Sequence, residues 1–195
     1  MPNKKSKRKK QKDQEKISRR EAYREFLHQF KPLLIAVALW FLTINLIHLP
    51  FIRDEVLHFF VGFILESSVA FGKMLFLPVS SPSFPYITVS GYTMEVIMEC
   101  TAYNFYIFVI YLSLFSPVSW KQRIITLLIF LLAIFVINNL RFIVMGYVGK
   151  HNPQMFDYIH DYLWNILFGF LVFLIWLWRY KPAMDARVRE RSAQG

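Results

Sequence analysis

Long apolar runs alternate with short polar breaks along this chain, and the lengths of the runs predict its architecture. Four of them cover residues 32–49, 100–116, 124–146 and 161–178. At about 1.5 Å per residue, a helix over each run spans most or all of the roughly 30 Å hydrocarbon core of a bilayer. The pattern predicts an all-α polytopic integral membrane protein with about four full spans.

Residues 54–77 carry a different pattern, with polar residues recurring on one side of a helix. Phe, Val, Ile and Leu occupy the opposite side, which predicts a helix that lies in the interface or lines a polar cavity. The polar stripe consists of Glu55, His58, Gly62, Glu66 and Lys73.

Residues 78–99 read as a loop, because they contain three prolines and several turn residues. Within this loop, residues 86–89 and 92–96 flank Gly91 and predict a short hairpin.

The distribution of basic residues predicts how the chain is oriented in the membrane. Its formal net charge is +10, and residues 1–31 hold 12 of the 23 Lys and Arg. A basic tail beside an apolar helix is typical of the cytoplasmic side of a membrane, where it contacts anionic lipid. We prefer this to nucleic-acid binding, the other interpretation of such a run.

The same rule decides between four and five spans. If residues 54–77 crossed fully, the later basic clusters would lie outside; if they return to the outer side, every basic cluster lies inside. We therefore predict four spans with residues 54–77 as an outer-face or re-entrant helix, and five spans stay open as the alternative. Both termini are predicted to be cytoplasmic, with three regions: a basic tail (1–31), a membrane domain (32–180) and a basic C-terminal tail (181–195).

Three polar side chains reach one membrane depth in this arrangement. Cys100, Arg141 and His160 lie roughly 26, 27 and 28 Å from the cytoplasmic ends of their helices at 1.5 Å per residue. The pattern therefore predicts a thiol, a guanidinium and an imidazole at the same outer level.

Each of these residues also has an interpretation that involves no catalysis. Cys100 is the only cysteine, and a buried cysteine is often a small hydrophobic residue, although a helix start and a nearby cation favour the reactive thiolate. Arg141 is costly inside an apolar helix unless it snorkels to the interface. Asn138 shares its face and could hold the guanidinium or bond a neighbouring helix.

His160 follows Asp157 by three residues, and this carboxylate could orient the ring or cap the helix. Metal binding by His151, Asp157 and His160 lacks the spacing of a known zinc motif. We predict no metal and no cofactor.

Together, the three side chains fit covalent acyl transfer. Cys100 would attack a peptide carbonyl, His160 would move protons, and Arg141 would stabilise the oxyanion or the thiolate.

At these residues the chain resembles the exosortase/archaeosortase family. The matching pieces are Glu99-Cys100-Thr101-Ala102, Asn138-Asn139-Leu140-Arg141 and His160, in that order. The likeness covers about residues 35–180 and is nearest to exosortase H. It departs at Ala102, where many members have Gly, and in lacking the extra helices of larger members.

The resemblance implies a membrane cysteine transpeptidase of the bacterial cytoplasmic membrane with its active site on the outer side. It implies Cys100 as nucleophile, Arg141 as oxyanion or thiolate partner, and His160 as proton shuttle. Substrates would be proteins with C-terminal sorting signals, and the acceptor a lipid or glycan. The candidates for recognising the short motif of the sorting signal are Glu55, His58, Glu66 and the hairpin, because of their predicted placement.

Two other functions stay open from the sequence. One is a non-enzymatic membrane assembly or transport subunit, whose buried polar residues only join helices. The other is an intramembrane cysteine protease that cleaves without transfer.

Overall fold

The structure, a computed structural model, describes residues 30–116 and 118–192, with side chains for all of these except 161 and 183–192. All but the last two residues of the predicted N-terminal tail lie outside this part. Six helices and three strands follow in order: α1 (Phe30–Ile47), α2 (Pro50–Met74), β1 (Val79–Ser83), β2 (Tyr86–Val89), β3 (Tyr92–Glu95), α3 (Tyr103–Phe115), α4 (Trp120–His151), α5 (Phe156–Tyr158) and α6 (Trp164–Ser192).

Three helices in the described part of the chain, α1, α2 and α4, are long and apolar enough to cross a membrane. α3 is apolar but shorter. The prediction of a helical membrane protein is confirmed in this sense. By length and hydropathy alone, α2 also qualifies as a span, which the sequence pattern did not predict for residues 54–77.

α2 contacts the start of α3 on one side and the sheet near its C-terminal end. His48, just before α2, lies 6.4 Å from Tyr103 at the start of α3, between ring centroids. Near the other end, Gly72 packs against Val79 of β1, and the neighbouring strand β2 packs on Gly146 near the end of α4. The number of full spans stays a prediction.

The three strands form an antiparallel sheet in the order β1-β2-β3. Strands β2 and β3 form a hairpin at the predicted residues, joined at Ser90 and Gly91, both with positive φ, as a tight hairpin turn requires. Its location on the outer side of the membrane stays a prediction. The prediction that residues 78–85 form only a loop is wrong, because they contain β1. Pro82 argued against a strand in the sequence, but an edge strand with an irregular register accepts a proline.

The last helix continues beyond its predicted end. The sequence predicted a stop at residues 179–182, whereas α6 runs through Pro182 to Ser192. A proline removes one backbone hydrogen bond and can bend a helix without ending it.

The sheet sits on α4 through a close approach of backbones. A Cβ atom at Gly146 would overlap the side chain of Val89. Glycine is therefore required there because a strand and a helix meet at that position.

We expect Gly146→Ala to lower the free energy of unfolding by about 1–3 kcal/mol, since overpacking would push β2 off the helix. Gly169→Ala in α6 is the matched control, because a Cβ there meets nothing within 4 Å. The control should shift stability by less than about 1 kcal/mol, and in the stabilising direction. Thermal unfolding in detergent measures the stability of both variants. Equal effects would mean that β2 does not pack closely on α4 at Gly146.

Candidate active site

A cavity of about 450 Å³ opens at the end of the bundle where α3 begins and α4 ends. Four parts of the chain build its wall: β3, the segment that follows it, the last third of α4, and the start of the final helical segment. The lining residues are Tyr92, Thr93, Met94, Glu95, Ile97, Cys100, Arg141, Phe142, Met145, Phe156, Asp157 and His160. The three side chains that the sequence placed at one depth thus share one cavity.

Cys100 and His160 are in direct contact. The Sγ atom lies 3.0 Å from Nε2, although the residues are 60 positions apart in the chain. In the neutral pair the thiol donates to the ring nitrogen, and in the ion pair the imidazolium N–H donates to the thiolate. Nucleophile and base within hydrogen-bond reach is the arrangement that activates a thiol.

The local backbone conformation orients the side chains of Cys100 and His160. Cys100 lies in a 3₁₀ turn, Met98–Thr101, and not in the first turn of a regular helix as predicted. Its side chain is 3% exposed. His160 lies in a π turn, Ile159–Leu163, between α5 and α6. A π turn rotates side chains relative to a regular helix, and such turns are frequent at functional sites.

Arg141 enters the cavity from α4, and only 4% of its surface is exposed. A guanidinium buried to this degree is not snorkelling into interfacial water. It supplies positive charge to the cavity that the thiol and the imidazole also line, in surroundings where electrostatic interactions are stronger than in water.

Asn138 does not hold the guanidinium, contrary to one of its two predicted roles. It is fully buried, and neither polar atom of its amide has a hydrogen-bond partner in the described part of the chain. The adjacent residue joins the helices instead: Ser68 of α2 donates to Oδ1 of Asn139 at 2.8 Å, and Nδ2 of Asn139 donates to the carbonyl of Phe135. The interhelical role predicted for Asn138 thus falls to its neighbour.

Asp157 lines the cavity, exposed at its mouth. Glu55, His58 and Glu66 do not appear in the described cavity wall. The ring of His58 stacks on Phe84 at 4.6 Å between centroids. Glu66 lines a separate groove between α2 and the β1–β2 turn.

Aromatic residues that the sequence analysis did not single out hold His160 in place. The ring of Phe156 lies parallel to the imidazole with centroids 5.8 Å apart, and the ring of Tyr92 lies 5.8 Å from that of Phe156 between centroids. Phe156 precedes His160 by four residues, so helical spacing could have indicated this pair. The contribution of Tyr92 depends on the hairpin folding back, which no local pattern reveals.

Ala102 connects the cysteine turn to α3 in a left-handed conformation, with φ 57° and ψ 19°. A side chain is disfavoured there, and glycine adopts the conformation without steric cost. The backbone therefore gives a physical reason for glycine at this position.

We expect Ala102→Gly to raise stability by up to about 1 kcal/mol and to keep the cysteine in place. Ala102→Val should be harmful, because a β-branched residue is a strong outlier at positive φ. Thermal unfolding and alkylation of Cys100 measure the two effects. A valine variant as stable as the glycine variant would contradict the left-handed connection.

Comparison with known proteins identifies the family of the chain. The sequence model of a transmembrane exosortase family matches residues 27–177, which include the cysteine, the arginine and the histidine. Nothing matches among curated proteins or among solved structures. The match covers well over half of the chain, and the chain therefore belongs to the transmembrane exosortase family.

Proposed function

We propose that this protein is a membrane-embedded cysteine transpeptidase that cleaves C-terminal sorting signals of exported proteins and transfers them to an acceptor. One observation carries the proposal: the 3.0 Å contact between Sγ of Cys100 and Nε2 of His160, in a cavity shared with Arg141. Family membership supports the same reaction class.

The first half of the reaction makes a thioester. Cys100 gives its proton to Nε2 of His160, and the sulfur attacks the scissile carbonyl. Arg141 stabilises the negative charge on the carbonyl oxygen. When the C–N bond breaks, the imidazolium returns the proton to the leaving amine.

The second half transfers the acyl group. An acceptor with an amine or hydroxyl gives its proton to His160 and attacks the thioester carbonyl. The C–S bond breaks, and the imidazolium reprotonates the sulfur. Burial of Cys100 limits water at the thioester, which favours a larger acceptor that binds the cavity over hydrolysis.

Product analysis tests transfer directly. A reporter protein that ends in a short motif, an apolar helix and a basic tip, taken from the same genome, is incubated with membranes containing the enzyme. Transfer predicts a reporter fragment whose new C-terminus carries added mass. A fragment with a free carboxylate would indicate a protease without transfer, and an uncleaved reporter with the enzyme present would oppose both enzymatic functions.

Orientation is part of the proposal: the cytoplasmic membrane, both termini inside, and the cavity on the outer side. The basic clusters of the sequence support it.

We expect a membrane-impermeant thiol reagent to label Ser81→Cys, but not Ser119→Cys, in intact cells that carry Cys100→Ala. Ser81 is exposed on β1 at the cavity end, whereas Ser119 is exposed where α3 turns into α4. Permeabilised cells should label both, which shows that each thiol is reachable. The opposite labelling pattern in intact cells would invert the proposed topology.

A further inference from the structure

The cavity touches four consecutive residues of β3, from Tyr92 to Glu95. Successive side chains of a strand point to opposite faces, so a cavity on one face would touch only alternate residues. Contact with all four means that the cavity lies along an edge of the strand. β3 is the outer strand of the order β1-β2-β3, and its other edge is paired with β2.

The backbone pairing shows which groups point toward this edge. In an antiparallel pair, hydrogen-bonded and non-hydrogen-bonded residues alternate. The amide of Val96 donates to the carbonyl of Pro85 at 2.9 Å, which makes Met94 and Tyr92 the next hydrogen-bonded positions. Thr93 and Glu95 therefore direct their N–H and C=O groups away from β2.

These backbone groups have no hydrogen-bond partner in the described part of the chain. An unpaired strand edge is a template for another extended chain. His160 and Phe156 line the same cavity, and Cys100 follows β3 by five residues. A peptide laid on this edge would pass the sulfur.

We propose that the cleaved segment of the substrate binds as an additional β-strand on the free edge of β3, with backbone bonds to Thr93 and Glu95. This inference rests on the proposed function, because it names how that site holds its substrate. From Thr93 to Ile97 the edge measures roughly 13 Å, which matches about four residues of extended peptide. Ile97, Phe142 and Met145 give the cavity an apolar lining for the side chains beside the scissile bond.

Proline at the outward positions tests the enzyme side. Thr93→Pro removes an outward N–H while leaving the bonds of β3 to β2 intact, since proline is accepted where the N–H faces away from the sheet. Thr93→Val at the same position changes the side chain and keeps the N–H. We expect processing of the reporter to be about two- to tenfold slower with proline than with valine, the value of one backbone hydrogen bond.

Alkylation of Cys100 by iodoacetamide, an uncharged reagent, checks that the proline variant keeps its site. Equal alkylation rates with unequal processing locate the defect in substrate binding. Equal processing by Thr93→Pro and Thr93→Val would overturn the inference. If the proline variant also loses alkylation, Glu95→Pro against Glu95→Gln provides the second comparison.

Backbone methylation tests the substrate side. A synthetic peptide covering the cleaved segment of the reporter is made with one N-methyl group at each position in turn. Pairing with β3 predicts that cleavage is slowed at every second position, because alternate amides of a strand face its partner. Equal sensitivity along the peptide, or none, would contradict strand addition. Loss of processing in Cys100→Ala, measured in parallel, separates this outcome from failure of the proposed reaction.

Discussion

Cys100→Ala is expected to lower processing of a sorting-signal reporter by roughly four orders of magnitude or more, as removal of a catalytic nucleophile does. The protein should still accumulate in the membrane, because alanine replaces a small buried side chain whose polar contact is with His160. Cys100→Ser should also be inactive, since a hydroxyl is a far weaker nucleophile than a thiolate at neutral pH. Quantitative immunoblotting of reporter and enzyme measures both quantities.

The serine variant separates the enzyme from an assembly or transport subunit. A buried cysteine that only fills space tolerates serine with a modest loss of stability. Full processing by Cys100→Ser would therefore refute thiol catalysis, whereas loss with normal accumulation supports it.

His160→Ala belongs to the same prediction, with an expected loss of about 10²–10⁴-fold, the usual value of a positioned general acid or base. His151→Ala is the matched control. It lies exposed at the end of α4, where Nδ1 contacts the carbonyl of Tyr147, and it does not line the described cavity. Full activity of this variant would also oppose a metal site shared by the two histidines.

That the three principal residues lie at one end of the helix bundle could be predicted because helix geometry converts sequence distance into length along a helix. Cys100 lies just before α3, Arg141 in the last third of α4 and His160 just before α6, and a single cavity receives all three. The position of a residue along a helix does not give the direction in which its side chain points around the helix axis. The contact between Cys100 and His160 depends on a 3₁₀ turn and a π turn, and neither has a signature in composition.

Rotation also explains the error at Asn138. Spacing of three residues places it on the face of Arg141, but its amide makes no hydrogen bond in the described part of the chain, while the next residue bonds to Ser68. A difference of one position in a tightly wound helix is a turn of about 100°. The partner across the interface decides which of two adjacent asparagines is used, and that partner is distant in sequence.

The sheet could be predicted only where its signals were local. A two-residue turn with glycine indicates a hairpin, and β2 and β3 are where the pattern placed them. Strand β1 depends on pairing with β2 despite a proline, and its register is set by tertiary contact. The consequence for function is that the β3 edge in the cavity could not be inferred from sequence alone.

Arg141→Ala is expected to lower kcat about 10²–10³-fold with little change in KM, because the guanidinium stabilises charge that develops only in the transition state. Arg141→Lys should lose less, since it keeps the charge but not the planar fork of donors. Lys150→Ala is the matched control: it removes an exposed cation from the same end of α4, outside the described cavity wall. A Lys150 variant as impaired as Arg141→Ala would mean that the overall positive charge at this end of α4 matters, and not the position of Arg141 in the cavity.

The rate of Cys100 alkylation by iodoacetamide in Arg141→Ala distinguishes the two roles open to the guanidinium. If Arg141 stabilises the thiolate, alkylation slows in parallel with processing, because the reactive form is depleted. If it stabilises the oxyanion, alkylation keeps its rate while kcat falls, since no carbonyl oxygen takes part in that reaction. We expect the second result, because His160 already contacts the sulfur at 3.0 Å and serves as its proton acceptor. Normal kcat in folded Arg141→Ala would remove the arginine from the mechanism altogether.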